Sequence, residues 1–512
     1  MQINIIEYFE KTVLALPDKT AVVENDSEIK FKELRDDALY LADLILEKIG
    51  DQINQPIGVF FPKSINSVTS DLAITYSGNI YMNLDVKSPL ERIKNITLLI
   101  KPLLIITNKD GEIKLKDIIE TPLINIEEIN CRKSLEVSSD LVTRLDERII
   151  DTDPYCIINT SGSTGTPKGV VLNHKSFIDF TEEAQRIFSF SWDEIIGSLS
   201  PIVFDIYSYE LCLLMSRGST MVLIPEQFAM FPLKILQLIN EQKVTFCFWV
   251  PTVMVNIANM DLLNGLYMPS LKLIWFAGEV FPTKQFNYWR NKMPQTKFAN
   301  LYGPIEITLD CTYFIIDREL SDEEPIPIGH PFRNTNVLIL NSNNEQVRAG
   351  EEGELCVRGT SLAMGYYNNP DKTSLAFVQN PLNKSYPETI YRTGDIVYQN
   401  EMNEIIFKGR KDSLIKHMGY RIELGEIEHV IINTLKLVDN GCVVYNVAKK
   451  EITLVYESKS DVQIAEIRKS IGGLFPKYMI PTAYIKMDQL PRNTNGKIDR
   501  LFLTNMVNGD GK

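Results

Sequence analysis

Ten consecutive residues, Thr160, Ser161, Gly162, Ser163, Thr164, Gly165, Thr166, Pro167, Lys168 and Gly169, concentrate hydroxyls, glycines and one lysine. Glycines let backbone N–H groups turn toward an anion, hydroxyls add donors, and the lysine supplies a point charge for phosphate. The segment is not a GxxxxGK[ST] P-loop. Counting from Gly162, Pro167 stands where the second glycine is required, and Gly169 follows Lys168 where Ser or Thr is required. The rest of the chain makes such a local cationic site necessary for any anionic ligand. It carries 53 Lys and Arg against 66 Asp and Glu, a formal charge of −13. A net-acidic surface repels phosphate backbones and anionic lipid, so neither nucleic acid nor a membrane is expected as a partner.

The elements that must position this loop are legible from apolar periodicity. At 512 residues, 44% hydrophobic and 23% charged, the chain suits a soluble globular protein of several domains or subdomains. Up to about residue 312, short apolar runs (57–61, 103–107, 155–159, 220–224, 244–249, 271–276) alternate with amphipathic segments (64–76, 231–242, 282–291). That alternation predicts parallel-sheet α/β subdomains with helices on both faces, and the loop above leaves the 155–159 strand directly. From about 313 to 411, short strands at 337–340, 354–357 and 404–408 separated by Gly, Pro and Asn predict a small β-rich subdomain. Beyond it, helices at 425–435 and 465–474 with strands at 442–447 and 453–457 predict a small α+β domain. The seven cysteines (131, 156, 212, 247, 311, 356, 442) show no CxxC pair and the four histidines no metal-ligand spacing. Buried thiols in a reducing cytoplasm are expected rather than disulfides or zinc. No apolar run approaches 20 residues.

The loop closely resembles the phosphate loop of the adenylate-forming superfamily, which includes acyl-CoA synthetases, luciferases and the amino-acid-adenylating enzymes of nonribosomal peptide synthesis. Other blocks similar to that family's follow in order: IKFKEL at 29–34, NLYGPIE at 300–306, GELCVRGTSLAMGYY at 353–367, YRTGD at 391–395, GRKDSLIKHMGYRIELGEIE at 409–428 and NGKIDR at 495–500. The resemblance implies an N-terminal adenylation core over 1–411 and a mobile C-terminal lid over 412–512, with Asp412 as the hinge. It implies ATP and Mg²⁺ as cofactors. A carboxylate would be joined to the α-phosphate of ATP, pyrophosphate released, and the acyl group passed to a thiol. Bringing two anions together needs cationic charge at the reacting phosphorus and a metal on the phosphates.

Site residues carry over from the matched blocks. The resemblance implies that Lys497 reaches the reacting carboxylate and phosphate, with Lys168 on the phosphates beside Thr160, Ser161, Gly162, Ser163, Thr164 and Gly165. Glu306 would help hold Mg²⁺, a hard cation that keeps several waters. Tyr302 would stack on adenine within the Asn300, Tyr302, Gly303 turn. Gly278 and Glu279 would line the same base, and Asp395 with Arg410 would meet the ribose. After adenylation, rotation about Asp412 would withdraw Lys497 and present the 419–421 loop to the thiol. One departure stands out: Ile305 replaces the threonine of the family's YGPTE.

Phe204-Asp205 matches the FD pair of the amino-acid-adenylating branch, which implies that Asp205 binds a substrate α-ammonium. An unpaired carboxylate in a closed pocket is costly. Ile206, Tyr209, Phe248, Trp275, Ala277, Leu301, Leu309 and Asp310 would line the side-chain pocket. Bulky Tyr209, Phe248 and Trp275 favour a short side chain, and Asp310 a hydroxyl or ammonium donor on it, as in serine or a short diamino acid, with alanine or glycine equally expected if Asp310 faces solvent. The expected partner is a separate phosphopantetheinylated carrier protein, because the chain ends soon after Arg500. A D-alanine–carrier protein ligase is an alternative that Ala277 weakens, since that group's usual cysteine is absent. Acyl- or aryl-CoA ligases and a catalytically weak nucleotide-binding homologue remain as further readings.

Overall fold

The structure, a computed structural model, describes residues 2–129, 140–160, 167–411, 414–458, 462–492 and 498–509. Two large sheets dominate. The first has nine strands, with a parallel centre formed by Thr20–Glu24, Thr220–Leu223, Ile195–Ser198, Phe246–Trp249, Leu273–Phe276 and Lys297–Tyr302. Antiparallel strands close both edges, Ser27–Lys30 at one and Thr312–Ile315 with His330–Pro331 at the other. The second sheet has seven strands, parallel from Pro154–Thr160 through Ile80–Asn83, Pro56–Phe60 and Leu104–Thr107 to Leu123–Asn125.

One apolar cluster runs through both sheets. Helices Ile65–Tyr76 and Asp205–Arg217 belong to it and are buried on nearly every face, which is why neither shows a clean amphipathic stripe. Ser64 starts the first of these through a reciprocal cap with Ser67, and Gly218, at φ +63°, ends the second. The architecture is the mixed α/β class that the alternating pattern predicts. The strand after the hydroxyl-rich loop differs from the all-parallel expectation: Lys168–Asn173 turns back antiparallel along Pro154–Thr160.

The β-rich part is antiparallel, with strands in the order Thr335–Leu340, Gly353–Gly359, Thr389–Gln399 and Phe377–Gln379, and with Ile405–Arg410 also paired to Thr389–Gln399. After it come the hairpin Leu414–His417 with Tyr420–Glu423, a three-stranded sheet (Asn440–Asn446, Glu451–Glu457, Ala483–Lys486) and three α-helices. The helix expected over 425–435 is α only at Leu424–His429 and widens into a π turn at Val430–Thr434. The six described cysteines are free and buried. Among the described residues, no helix is long and apolar enough to cross a membrane.

Candidate active site

The carboxyl ends of the central strands, the β-rich part and the 414–423 hairpin meet around one cleft. Ser161 to Gly165, Asp412 and Lys497 lie outside the described residues. Thr160 is buried at the end of its strand, in register with Lys168. Lys168 Nζ lies 2.6 Å from Glu423 Oε1 of the hairpin and over the Tyr366 ring.

Glu306 sits on a single 3₁₀ turn after the Gly303-Pro304 bend and is fully buried. The Tyr366 hydroxyl donates to one of its oxygens at 2.8 Å, and Arg421 pairs with the other at 2.5 Å. Burial pushes this carboxyl up, but the Arg421 guanidinium, with help from Lys168 and Tyr366, holds it at about 2. Glu306 is therefore ionised, a single hard oxygen donor of the type Mg²⁺ uses alongside phosphates and water. Among the described residues no group of three or more His, Cys, Asp or Glu could hold a metal by itself.

Tyr302, Asp395 and Arg410 form a second cluster. The Tyr302 hydroxyl and the Arg410 guanidinium both donate to the Asp395 carboxylate, and Arg410 Nη2 also reaches Thr393 O at 2.9 Å. The Lys416 ammonium lies 5.9 Å over the Tyr302 ring. Asn300 donates to Pro327 O at 2.7 Å, tying down the strand that ends at Tyr302. Gly278 takes φ +93° in the turn after Phe276. The next residue, Glu279, accepts the Gly419 N–H at 2.8 Å and, through its other oxygen, the Thr252 N–H at 2.9 Å. One carboxylate thus joins the start of helix Pro251–Asn259 to the hairpin turn.

A cavity of about 900 Å³ opens between these parts. Phe204, Asp205, Ile206, Phe248, Ala277, Leu309 and Asp310 line its inner end, together with Ile305 and Lys416. It then passes Met418, Gly419 and Tyr420 toward Lys87, Glu226, Met230 and Lys477. Asp205 opens helix Asp205–Arg217, where the helix dipole favours a negative charge. Its Oδ1 accepts the neighbouring Ile206 N–H, at 3.0 Å. Burial pushes this carboxyl up to about 6, against the opposing pull of that N–H and of Lys416.

Three residues expected in the pocket lining are placed behind it instead. Tyr209, Trp275 and Leu301 are buried in the core, with Tyr209 stacked on Trp275 at 5.3 Å. Trp275 lies one strand beyond Phe248, where Phe188, Phe190 and Phe246 cover it. These bulky rings back the wall without narrowing the cavity, so they do not by themselves limit the side chain.

Ile305 faces the cavity, while the Thr308 hydroxyl is buried without a hydrogen-bond partner among the described residues and Thr308 does not line the cavity. Thr308 therefore does not stand in for the hydroxyl that Ile305 lacks. Gly303 allows the chain to fold back here: a Cβ on it would lie 2.1 Å from Leu309 O and 2.5 Å from Asp310 Cα. Gly303→Ala is expected to cost about 1–3 kcal/mol through overpacking, read as a lowered unfolding midpoint; an unchanged midpoint would show that this turn is free to shift.

Several groups escaped the sequence reading. Tyr366, Lys416 and Glu423 fall inside blocks identified there, yet only the folded chain shows that they meet Glu306, Tyr302 and Lys168. Thr252 carries no sequence signal.

Residues 9–367 match the family described as AMP-binding enzyme. The chain belongs to that family. Members of this AMP-binding family use ATP and form adenylates, and the described cleft joins the family's blocks in one place. Tyrocidine synthase 1 of Brevibacillus parabrevis is 30% identical over 509 residues, covering 98% of this chain but 45% of that protein. The chain thus spans less than half of that relative. Zwittermicin A synthase ZmaJ of Bacillus cereus is 29% identical, covering 98% of this chain and 95% of that protein. Among solved structures, the Vibrio cholerae adenylation domain AlmE in complex with glycyl-adenosine-5'-phosphate superposes with TM-score 0.84 at 21% identity, covering 98% and 97% of the two chains. The o-succinylbenzoate CoA synthetase MenE of Bacillus subtilis superposes equally well, at 0.84 and 19% identity, covering 98% of each chain. This AMP-binding fold is therefore common to amino-acid and CoA-dependent enzymes, and the choice between them rests on the side chains in the cavity.

Proposed function

We propose that this enzyme activates a small amino acid as its aminoacyl adenylate, releases pyrophosphate, and passes the acyl group to the phosphopantetheine thiol of a carrier protein. The observation that carries the reading is Asp205: a carboxylate lining the cavity, with Lys416 as a charged neighbour but no ion pair among the described residues. A fatty or aryl acid offers such a group nothing, whereas an α-ammonium offsets its charge. The AlmE complex, which holds an aminoacyl adenylate, supports the same choice.

In this reading Lys168 and the hydroxyl-rich loop receive the phosphates of ATP, and Glu306 would hold the Mg²⁺ that accompanies them. Asp395 and Arg410 receive the ribose, and Tyr302, Gly278 and Glu279 border the adenine. Lys497 supplies the cationic charge when carboxylate and α-phosphate meet. Its segment belongs to a lid over 412–512 turning at Asp412. The cavity's continuation past Gly419 and Tyr420 supports entry of an extended arm bearing a thiol.

The deciding experiment is ATP–pyrophosphate exchange with amino acids, each paired with its analogue lacking the α-amine. Exchange confined to the amino acids is expected. Equal exchange with the des-amino acids, and thioester formation with CoA alone, would make the enzyme a CoA ligase.

A further inference from the structure

The inner end of the cavity holds a second carboxylate that the aminoacyl reading leaves unused. Asp310 is 4% exposed, lines the cavity, and receives no hydrogen bond or ion pair among the described residues. The backbone is bent specifically to place it there. Thr308 and Leu309 both take left-handed conformations, φ +46° and +63°, which side-chain-bearing residues adopt only at a cost. The bend also needs the missing Cβ of Gly303. Apart from Asp205 and Lys416, the inner end of the cavity is apolar: Leu309, Ile305, Ala277, Phe248 and Ile206.

A dry carboxylate in that setting is unfavourable without a cation. Of the cations lining this cavity, Lys416 is the one whose charge is felt at Asp310, but it lies over Tyr302 and is shared with Asp395, its stronger acidic neighbour. The substrate α-ammonium is matched by Asp205. One negative group is left over. Asp205 and Asp310 line the same cavity, so one bound substrate can face both carboxylates.

We propose that the preferred substrate is a short diamino acid of the 2,3-diaminopropionate or 2,4-diaminobutyrate type, whose side-chain ammonium pairs with Asp310. This rests on the aminoacyl reading above and specifies its side-chain class. A hydroxyl would give Asp310 one hydrogen bond and a methyl side chain none, whereas an ammonium would give it both a hydrogen bond and an opposite charge. A site built to bond a substrate group discriminates strongly against analogues lacking it, on the order of 10⁴-fold in favourable cases.

The test is exchange by the full chain with both enantiomers of 2,3-diaminopropionate and 2,4-diaminobutyrate, against lysine, serine, alanine and 4-aminobutyrate. A diamino acid is expected to exceed alanine by about 100-fold or more in kcat/KM. Asp310→Leu should reverse that order in favour of alanine, and the isosteric Asp310→Asn should lose the diamino preference. Serine or alanine activated as well as the diamino acids by the unmodified enzyme, or a diamino preference that survives Asp310→Leu, overturns the proposal. Equal exchange with 4-aminobutyrate, which keeps the distal amine and lacks the α-amine, would instead overturn the aminoacyl reading itself.

Discussion

Asp205→Asn is expected to lower kcat/KM for the amino acid at least ~100-fold while nucleotide affinity stays within a few-fold. Removing one partner of a buried ion pair costs about 3–5 kcal/mol, much of it from the charge left behind. Here that charge would be the α-ammonium, held in a cavity whose neighbouring walls are Phe204, Ile206 and Phe248. The cluster of Tyr302, Asp395 and Arg410, proposed above to receive the ribose, has no hydrogen bond to Asp205 among the described residues, so ATP binding has no reason to change.

A pH dependence follows from the same group. With its carboxyl raised to about 6, Asp205 is neutral below that pH and cannot attract the ammonium. The amino acid stays protonated throughout, so its KM should climb about tenfold per pH unit below 6 and the slope should vanish in Asp205→Asn. The sign for stability is opposite. A carboxyl raised above its usual range takes up its proton in the folded state first, so this group's contribution falls as pH rises from about 4 through 6. A flat KM profile in the parent enzyme, or an asparagine variant as active as the parent, would remove Asp205 from substrate recognition.

Much of the scaffold was legible because its strands are short apolar runs bounded by Gly, Pro and polar turns. The run at 57–61 lies within one residue of strand Pro56–Phe60, and the run at 220–224 within one of Thr220–Leu223. Less legible was pairing direction. Nothing local distinguishes Lys168–Asn173, antiparallel, from the parallel strands around it, because register and direction are settled by partners far along the chain. The 414–423 hairpin was hidden for a different reason. Its two-residue turn, Met418-Gly419, has both residues at positive φ, 53° and 83°, but uses methionine where Asn or Asp would have marked it. Side-chain meetings such as Lys168 with Glu423, 255 residues apart, have no sequence periodicity at all. Pocket lining failed at Tyr209 and Trp275 because matched position in a motif does not say whether a ring faces the cavity or the aromatic stack behind it.

Arg421→Ala is expected to separate the two half-reactions of the proposed sequence. In this structure the hairpin is docked: Arg421 pairs with Glu306, Glu423 with Lys168, the Gly419 N–H with Glu279, and Tyr420 meets Phe204 edge-on at 5.1 Å. Glu306 and Lys168 are also the groups proposed to hold Mg²⁺ and the phosphates of ATP. The hairpin's guanidinium therefore stands on the carboxylate the metal needs, and its carboxylate on the ammonium the phosphates need. In the proposed sequence a docked hairpin and Mg·ATP would compete for the same two partners, which would be freed again when pyrophosphate leaves. Taking Arg421 away leaves Glu306 buried against Tyr366 without its main counter-charge, a penalty of about 3–5 kcal/mol confined to the docked arrangement. Converted at 1.4 kcal/mol per decade, that is a loss of at least ~100-fold in docked population. Transfer of the aminoacyl group from preformed adenylate to a carrier thiol should slow by that factor in single-turnover measurements, with ATP–pyrophosphate exchange within about threefold of the parent. Glu306→Gln is the contrasting variant: it weakens the metal-dependent step and should depress exchange. If Arg421→Ala reduces both half-reactions equally, Arg421 supports the fold of the cleft as a whole and the competition for Glu306 is not what times the reaction.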